Sequence, residues 1–97
     1  MAEVVWLPEA RADVERLHAF LLDKDADAAA LCARKILNAA ELLVASPRMG
    51  RPMDDETGRR EIFMSFGAGA YVLRYMLERP DKAVVIRVWH SREYRIQ

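Results

Sequence analysis

His90 closes an apolar run, Val84-Val85-Ile86-Arg87-Val88-Trp89-His90, with Arg87 three residues before it and Arg92 two residues after. A histidine can give or accept a proton near neutral pH, and flanking cations suit charge that builds up on an anionic substrate. Glu61 offers a carboxylate that can take a proton, and Arg74 a further cation. Brought together, Glu61, Arg74, Arg87 and His90 could transfer a proton beside an anion. A plainer reading stands next to it. Arg60, Arg74 and Arg87 also fit the polar face of a half-exposed sheet, pairing with Glu61 and nearby acids, and His90 fits a strand-end residue bonded to backbone. No metal is expected, because His18 and His90 lack a third ligand at usual spacing and Cys32 stands alone. No cofactor is called for. Cys32 lies in a helical pattern among small neighbours, which predicts a buried thiol and excludes an internal disulfide.

These residues need a scaffold, and hydrophobic periodicity supplies one. Val4, Val5 and Trp6 precede Pro8, as in a short strand that feeds a helix with proline in its first turn. Ala10, Val14, Leu17 and Leu21 recur at helical spacing, with Arg11, Asp13, Glu15 and Arg16 on the wet side, and the pattern runs to about Lys24. Phe20, Leu21 and Leu22 are read as core. Asp25 or Asp27 can cap a second helix whose apolar positions are Ala29, Ala33, Ile36, Leu37, Ala40, Leu43 and Val44, and Ser46-Pro47 ends it. The short link between the two helices forces an antiparallel hairpin.

Residues 48–58 break into Pro, Gly, Met and acids, which predicts an exposed connection. Arg60 to Phe66, Tyr71 to Leu77 and Ala83 to His90 then read as strands separated by Gly67-Ala68-Gly69 and Arg79-Pro80-Asp81. The expected fold class is α+β: a short N-terminal strand and an antiparallel helical hairpin packed on a mostly antiparallel sheet of three to four strands. Period-two alternation puts Val84, Ile86 and Val88 on one face and Val85, Arg87 and Trp89 on the other. The first set is expected beneath the helices. The second, beside Arg74 and Met76, is expected to form an open functional surface, while His90 falls with the first.

The 97 residues make a single domain, 1–97, that buries roughly 60 to 65% of its unfolded surface. With 53% apolar and 31% charged residues the composition is globular, no stretch suits a bilayer span, and the N-terminus lacks the pattern of a secretory signal. A cytoplasmic location is the expectation, with no membrane partner. Net charge is zero but uneven: residues 1–47 hold five Lys or Arg against eight Asp or Glu, and residues 48–97 hold ten against seven. That excess is small for a protein that relies on phosphate contacts, so nucleic acid would be met through a local patch or through another macromolecule.

Five segments in order carry a resemblance. They are Trp6-Leu7-Pro8-Glu9-Ala10, Pro47-Arg48-Met49-Gly50-Arg51-Pro52, Arg60-Glu61, Tyr71-Val72-Leu73-Arg74-Tyr75, and Val85-Ile86-Arg87-Val88-Trp89-His90-Ser91-Arg92. Together they span almost the whole chain, and the sequence resembles the RelE/ParE superfamily of toxins from type II toxin–antitoxin systems, closer to the ParE branch.

The resemblance implies a cognate antitoxin whose disordered C-terminal part folds over the toxin, with DNA contacted only indirectly through that antitoxin. Arg60, Met76, Trp89, Arg92 and Tyr94 are the candidate partner-binding residues. It also implies one of two targets. ParE-like members poison DNA gyrase; RelE-like members cut messenger RNA on the ribosome, where Glu61, Arg74, Arg87 and His90 would be the catalytic residues. Val72 departs from the ribonuclease pattern, which carries an arginine there. A third alternative is a non-toxic partner that retains only antitoxin binding.

Overall fold

A computed structural model of the chain describes residues 1–93. Tyr94, one of the candidate partner contacts, lies outside the described residues. The order of elements is β1 (Glu3–Trp6), α1 (Pro8–Leu22), α2 (Ala26–Ala45), β2 (Arg51–Pro52), β3 (Arg59–Phe66), β4 (Gly69–Arg79) and β5 (Lys82–His90). The strands form one sheet in the order β1-β5-β4-β3-β2, in which β1 runs parallel to β5 and every other pair is antiparallel. The α+β architecture expected from the sequence is the one observed. Its sheet has a fifth strand, because the connection after α2 pairs briefly with β3 through Arg51 and Pro52.

Local chemistry explains the boundaries. Pro8 opens α1, where the missing N–H costs no helix bond, and Glu9 faces the positive end of the helix dipole. Asp25 caps α2: its carboxylate accepts from the N–H groups of Asp27 and Ala28 at 3.0 and 3.1 Å. Ser46 stands at the C-terminus of α2, just ahead of Pro47. Gly67 turns β3 into β4 with φ of 62°, a conformation that an L side chain would resist.

The core lies between the hairpin and one face of the sheet. Ala10 and Leu17 of α1 and Cys32, Ile36, Ala40 and Leu43 of α2 pack on Tyr71, Leu73, Tyr75, Val85 and Val88. Each fully buried aliphatic side chain contributes about 1.5–3 kcal/mol by leaving water. The small residues Ala29, Ala39 and Ala40 are buried on α2, as a close helix approach requires.

Three expectations need correction. The alternation of β5 does not run unbroken, since Arg74 pairs with Arg87 while Tyr75 pairs with Val85, which leaves Ile86 as an extra residue in a β-bulge. The bulge reverses the facing of everything before it. Ala83, Val85 and Val88 are therefore buried in the core, whereas Val84 and Ile86 are only partly covered. Second, Phe20 and Leu22 are exposed rather than core, and so is Leu37. Third, Asp13 is not on the wet side of α1: it is only 3% exposed. No helix among the described residues is long and apolar enough to cross a membrane.

Candidate functional site

Asp13 anchors the first cluster. It lies three residues after Ala10 and four before Leu17, so the helix turns it toward β5 together with those two core residues. β1 pairs with β5 only as far as Val85, and the chain then leaves the sheet into α1. The next stretch of the β5 edge is met by a side chain instead. One carboxylate oxygen of Asp13 accepts from the N–H of Val88 at 2.8 Å, and both oxygens accept from the Arg87 guanidinium at 2.8 and 3.0 Å. Arg16 donates to Asp13 at 3.0 Å and to both oxygens of Glu93 at 2.7 and 2.6 Å. Burial by itself would raise the Asp13 pKa, but the bonds from Arg87, Val88 and Arg16 outweigh it and hold the carboxyl below its ordinary value. In the same exchange Arg87 is held more firmly protonated, chiefly by its bond to Asp13.

The sheet face turned away from the helices holds the second cluster. Glu61, Arg74 and Arg87 are successive cross-strand neighbours on β3, β4 and β5. Arg74 donates to Glu61 at 2.9 and 3.1 Å and lies over the Trp89 ring at 4.9 Å, which leaves Arg74 7% and Trp89 8% exposed. Stacking desolvates both groups, and the paired carboxylate balances the charge. Trp89, a candidate partner contact, is thus a packing residue beneath Arg74, and Met76 next along β4 is partly exposed. At the far side Arg51 covers the half-exposed ring of Phe63 at 4.9 Å.

His90 is on the other face. It pairs with Tyr71, in line with Leu73 and Val88, so the bulge leaves its facing as the alternation gave it. Its Nδ1 accepts from the N–H of Arg92 at 3.2 Å and its Nε2 lies 3.1 Å from the Phe66 carbonyl. These partners assign the ring proton to Nε2, and both nitrogens are engaged with backbone. Phe66, Tyr71 and His90 form an aromatic cluster, with centroids 4.8 Å apart for Phe66 and Tyr71 and 5.0 Å for Tyr71 and His90. Burial, then the bond to the Cys32 thiol, pushes the Tyr71 hydroxyl well above its usual pKa, so it stays neutral.

This cluster floors a groove of about 670 Å³ between α1 and the strand ends. Leu17, Phe20 and Leu21 form one wall, and Arg16, Arg92 and Glu93 form the rim. Phe20 is 62% exposed, with the Lys24 ammonium over its ring at 4.1 Å. An apolar floor with a polar rim, in which Arg16 is paired with Glu93, can hold an amphipathic segment. Arg92 is the candidate partner contact that the fold brings here. Arg60 is engaged elsewhere: it donates to the carbonyls of Arg48 and Gly50 and fastens the loop after α2.

The candidate catalytic residues are thus divided. Glu61 and Arg74 pair on the face turned from the helices, Arg87 is turned to the α1 carboxylate, and His90 lies on the helix face. The open surface expected around Arg74 and Trp89 is corrected, since stacking and ion pairing bury Arg74, Trp89 and the neighbouring Val72. Reasoning from sequence missed Asp13, Arg16 and Glu93. The spacing of Asp13 from Ala10 and Leu17 was the available signal, since it matches the buried stripe.

The described residues form a small α+β domain with an apolar groove beside α1. The family described as ParE toxin of type II toxin–antitoxin system, parDE, matches residues 4–94. Two curated relatives come from Caulobacter vibrioides. Toxin RelE3 is 39% identical over 88 residues, covering 91% of this chain and 92% of that protein. Toxin RelE1 is 37% identical over 86 residues, covering 89% of each. A solved structure, the chromosomal ParDE TA system from P. aeruginosa, shares the fold with a TM-score of 0.72 at 17% identity, covering 93% of this chain and 96% of that one. The chain belongs to the ParE toxin family of the RelE/ParE superfamily and is the toxin of a type II toxin–antitoxin system, with a cognate antitoxin as its partner.

Proposed function

We propose that this toxin acts by binding and poisoning DNA gyrase, and that its antitoxin docks in the groove formed by Leu17, Phe20, Leu21, Phe66 and Tyr71. The observation that carries the target is the division of Glu61, Arg74, Arg87 and His90 between two faces of the sheet. Cleavage of RNA by its 2′-hydroxyl needs a proton acceptor, a proton donor and cations around one phosphate. Here the histidine is engaged with backbone on one side while the carboxylate and Arg74 neutralise each other on the opposite side. A protein that works by occupying its target needs no such convergence.

The competing reading, ribosome-dependent cleavage of messenger RNA, keeps its place because the two Caulobacter relatives carry the RelE name. One experiment separates the readings. Induced expression should arrest growth, co-expression of the antitoxin should rescue it, and purified protein should inhibit gyrase supercoiling or trap cleaved DNA. Ribosome-dependent cuts in messenger RNA that vanish in His90→Ala or Arg74→Ala would transfer the assignment to the ribonuclease. Unimpaired growth at verified soluble expression would leave a non-toxic antitoxin partner.

A further inference from the structure

The sheet has unequal edges. β2 is only two residues long and contains Pro52, which has no N–H to offer. Where β5 runs past β1, Asp13 takes the N–H of Val88 and Glu93 approaches that of His90 at 3.4 Å. Short strands, proline and capping carboxylates deter another strand from joining at those positions, and past β2 the Lys35 ammonium donates to the Ser65 carbonyl of β3 at 2.7 Å. β1 has no such guard along Val4-Val5-Trp6.

The direction of its free groups follows from the hydrogen bonds. The N–H of Glu3 goes to Asp81 and that of Leu7 to Val85, so odd-numbered residues of this stretch face β5. Even-numbered ones face away, and the N–H of Ala2 accordingly reaches the Val44 carbonyl at the end of α2. Val4 and Trp6 therefore present their N–H and C=O outward, with no partner strand among the described residues. Beside this edge runs a second groove, lined by Trp6, Val14, Ala33 and Leu37 and flanked by Arg11 and Glu15. Arg11 and Glu15 are one helical turn apart and share no ion pair with each other.

We infer that the outer edge of β1 pairs with β1 of a second copy of this chain, antiparallel about a two-fold axis at Val5. Val4 of each copy then exchanges both backbone bonds with Trp6 of the other, and the two sheets join into one. The charge pattern selects a copy over an unrelated strand. A cation and a carboxylate spaced four residues apart are self-complementary under a two-fold, so Arg11 of one protomer faces Glu15 of its partner. This inference is independent of the gyrase and antitoxin reading, because it uses neither the sheet's Arg74 face nor the Phe20 groove.

Sedimentation velocity of the full chain from roughly 1 to 100 µM covers the range of a small, weak interface. A monomer–dimer equilibrium is expected. Val4→Pro removes an outward N–H that β5 does not use, and should weaken association by about tenfold or more. Arg11→Glu, on an exposed helix face, should do the same by setting like charges opposite each other, and Arg11→Glu combined with Glu15→Arg should restore the wild-type constant to within about threefold. A chain that stays monomeric throughout overturns the inference, as does a dimer indifferent to Val4→Pro or a charge swap as weak as the single reversal. Loss of antitoxin capture by Val4→Pro, in a chain that is monomeric, would give this edge to the antitoxin instead.

Discussion

Asp13 on α1 and Arg87 on β5, 74 positions apart in the chain, meet in a two-point ion pair with contacts of 2.8 and 3.0 Å. The pair sits beside the bulge at Ile86, where β5 has just lost its β1 neighbour. Asp13 thereby does at a strand edge what another strand would do, and it ties the first helix to the last strand. The same carboxylate, through Arg16, fixes Glu93 at the rim of the groove.

Replacing Asp13 with Ala should therefore destabilise the fold. Three donors lose their acceptor, one of them the buried N–H of Val88, and a cost of about 2–4 kcal/mol is expected. Urea denaturation measures it. A change below about 0.5 kcal/mol would mean that water serves those donors as well as the carboxylate does.

The same contact sets a response to acid. The folded Asp13 carboxyl titrates below its ordinary value, so its contribution to stability is complete above the unfolded pKa of about 4. It is lost as the pH falls from there through the folded pKa. Stability measured between neutrality and pH 3 should fall at the acid end, and Asp13→Asn should flatten that part of the curve. An equal acid slope in the variant would assign the loss to other carboxylates.

Gly50 is fixed by a close approach. A Cβ there would lie 2.6 Å from Cε1 and 2.7 Å from the hydroxyl oxygen of Tyr75. That ring cannot yield, since it is fully buried, its hydroxyl donates to the Pro47 carbonyl at 2.8 Å and it accepts from the Gly50 N–H at 2.9 Å. Gly50→Ala is expected to cost about 1–3 kcal/mol, read as a lower melting temperature. Tyr75→Phe in the same background should not recover the loss, because the nearer clash with Cε1 remains and the Gly50 N–H and Pro47 carbonyl lose their partner.

On the proposed docking of the antitoxin in the groove, Phe20 separates partner binding from folding. Its exposed ring contributes little to the core, so Phe20→Glu should leave the melting temperature nearly unchanged. Antitoxin affinity should drop by about tenfold or more, because the charge would enter an apolar contact. Titration calorimetry with the purified antitoxin provides the check, and undiminished affinity would move the docking site off this groove.

On the gyrase reading, His90→Ala should still arrest growth at matched expression. The substitution removes a ring bonded to Phe66 and Arg92, so a modest loss of stability is expected without loss of the toxic effect. Growth arrest abolished at an unchanged soluble level would count against that reading.

The sequence alone determined what depends on neighbours along the chain. Pro8 and Asp25 start the helices, Ser46-Pro47 ends the second, and the apolar runs after residue 58 are strands, because capping, helical period and strand propensity act over a few residues. It also carried enough ordered motifs to place the chain in its superfamily. Tertiary structure decided the facing of β5 and the partners of its arginine. The bulge falls just past the last residue of β5 that pairs with β1, and no period within β5 contains that information. Asp13 read as a surface acid because its partners, Arg87 and Val88, lie at the other end of the chain. Only packing α1 against β5 brings those donors to it, and only that packing makes burial of the carboxylate favourable.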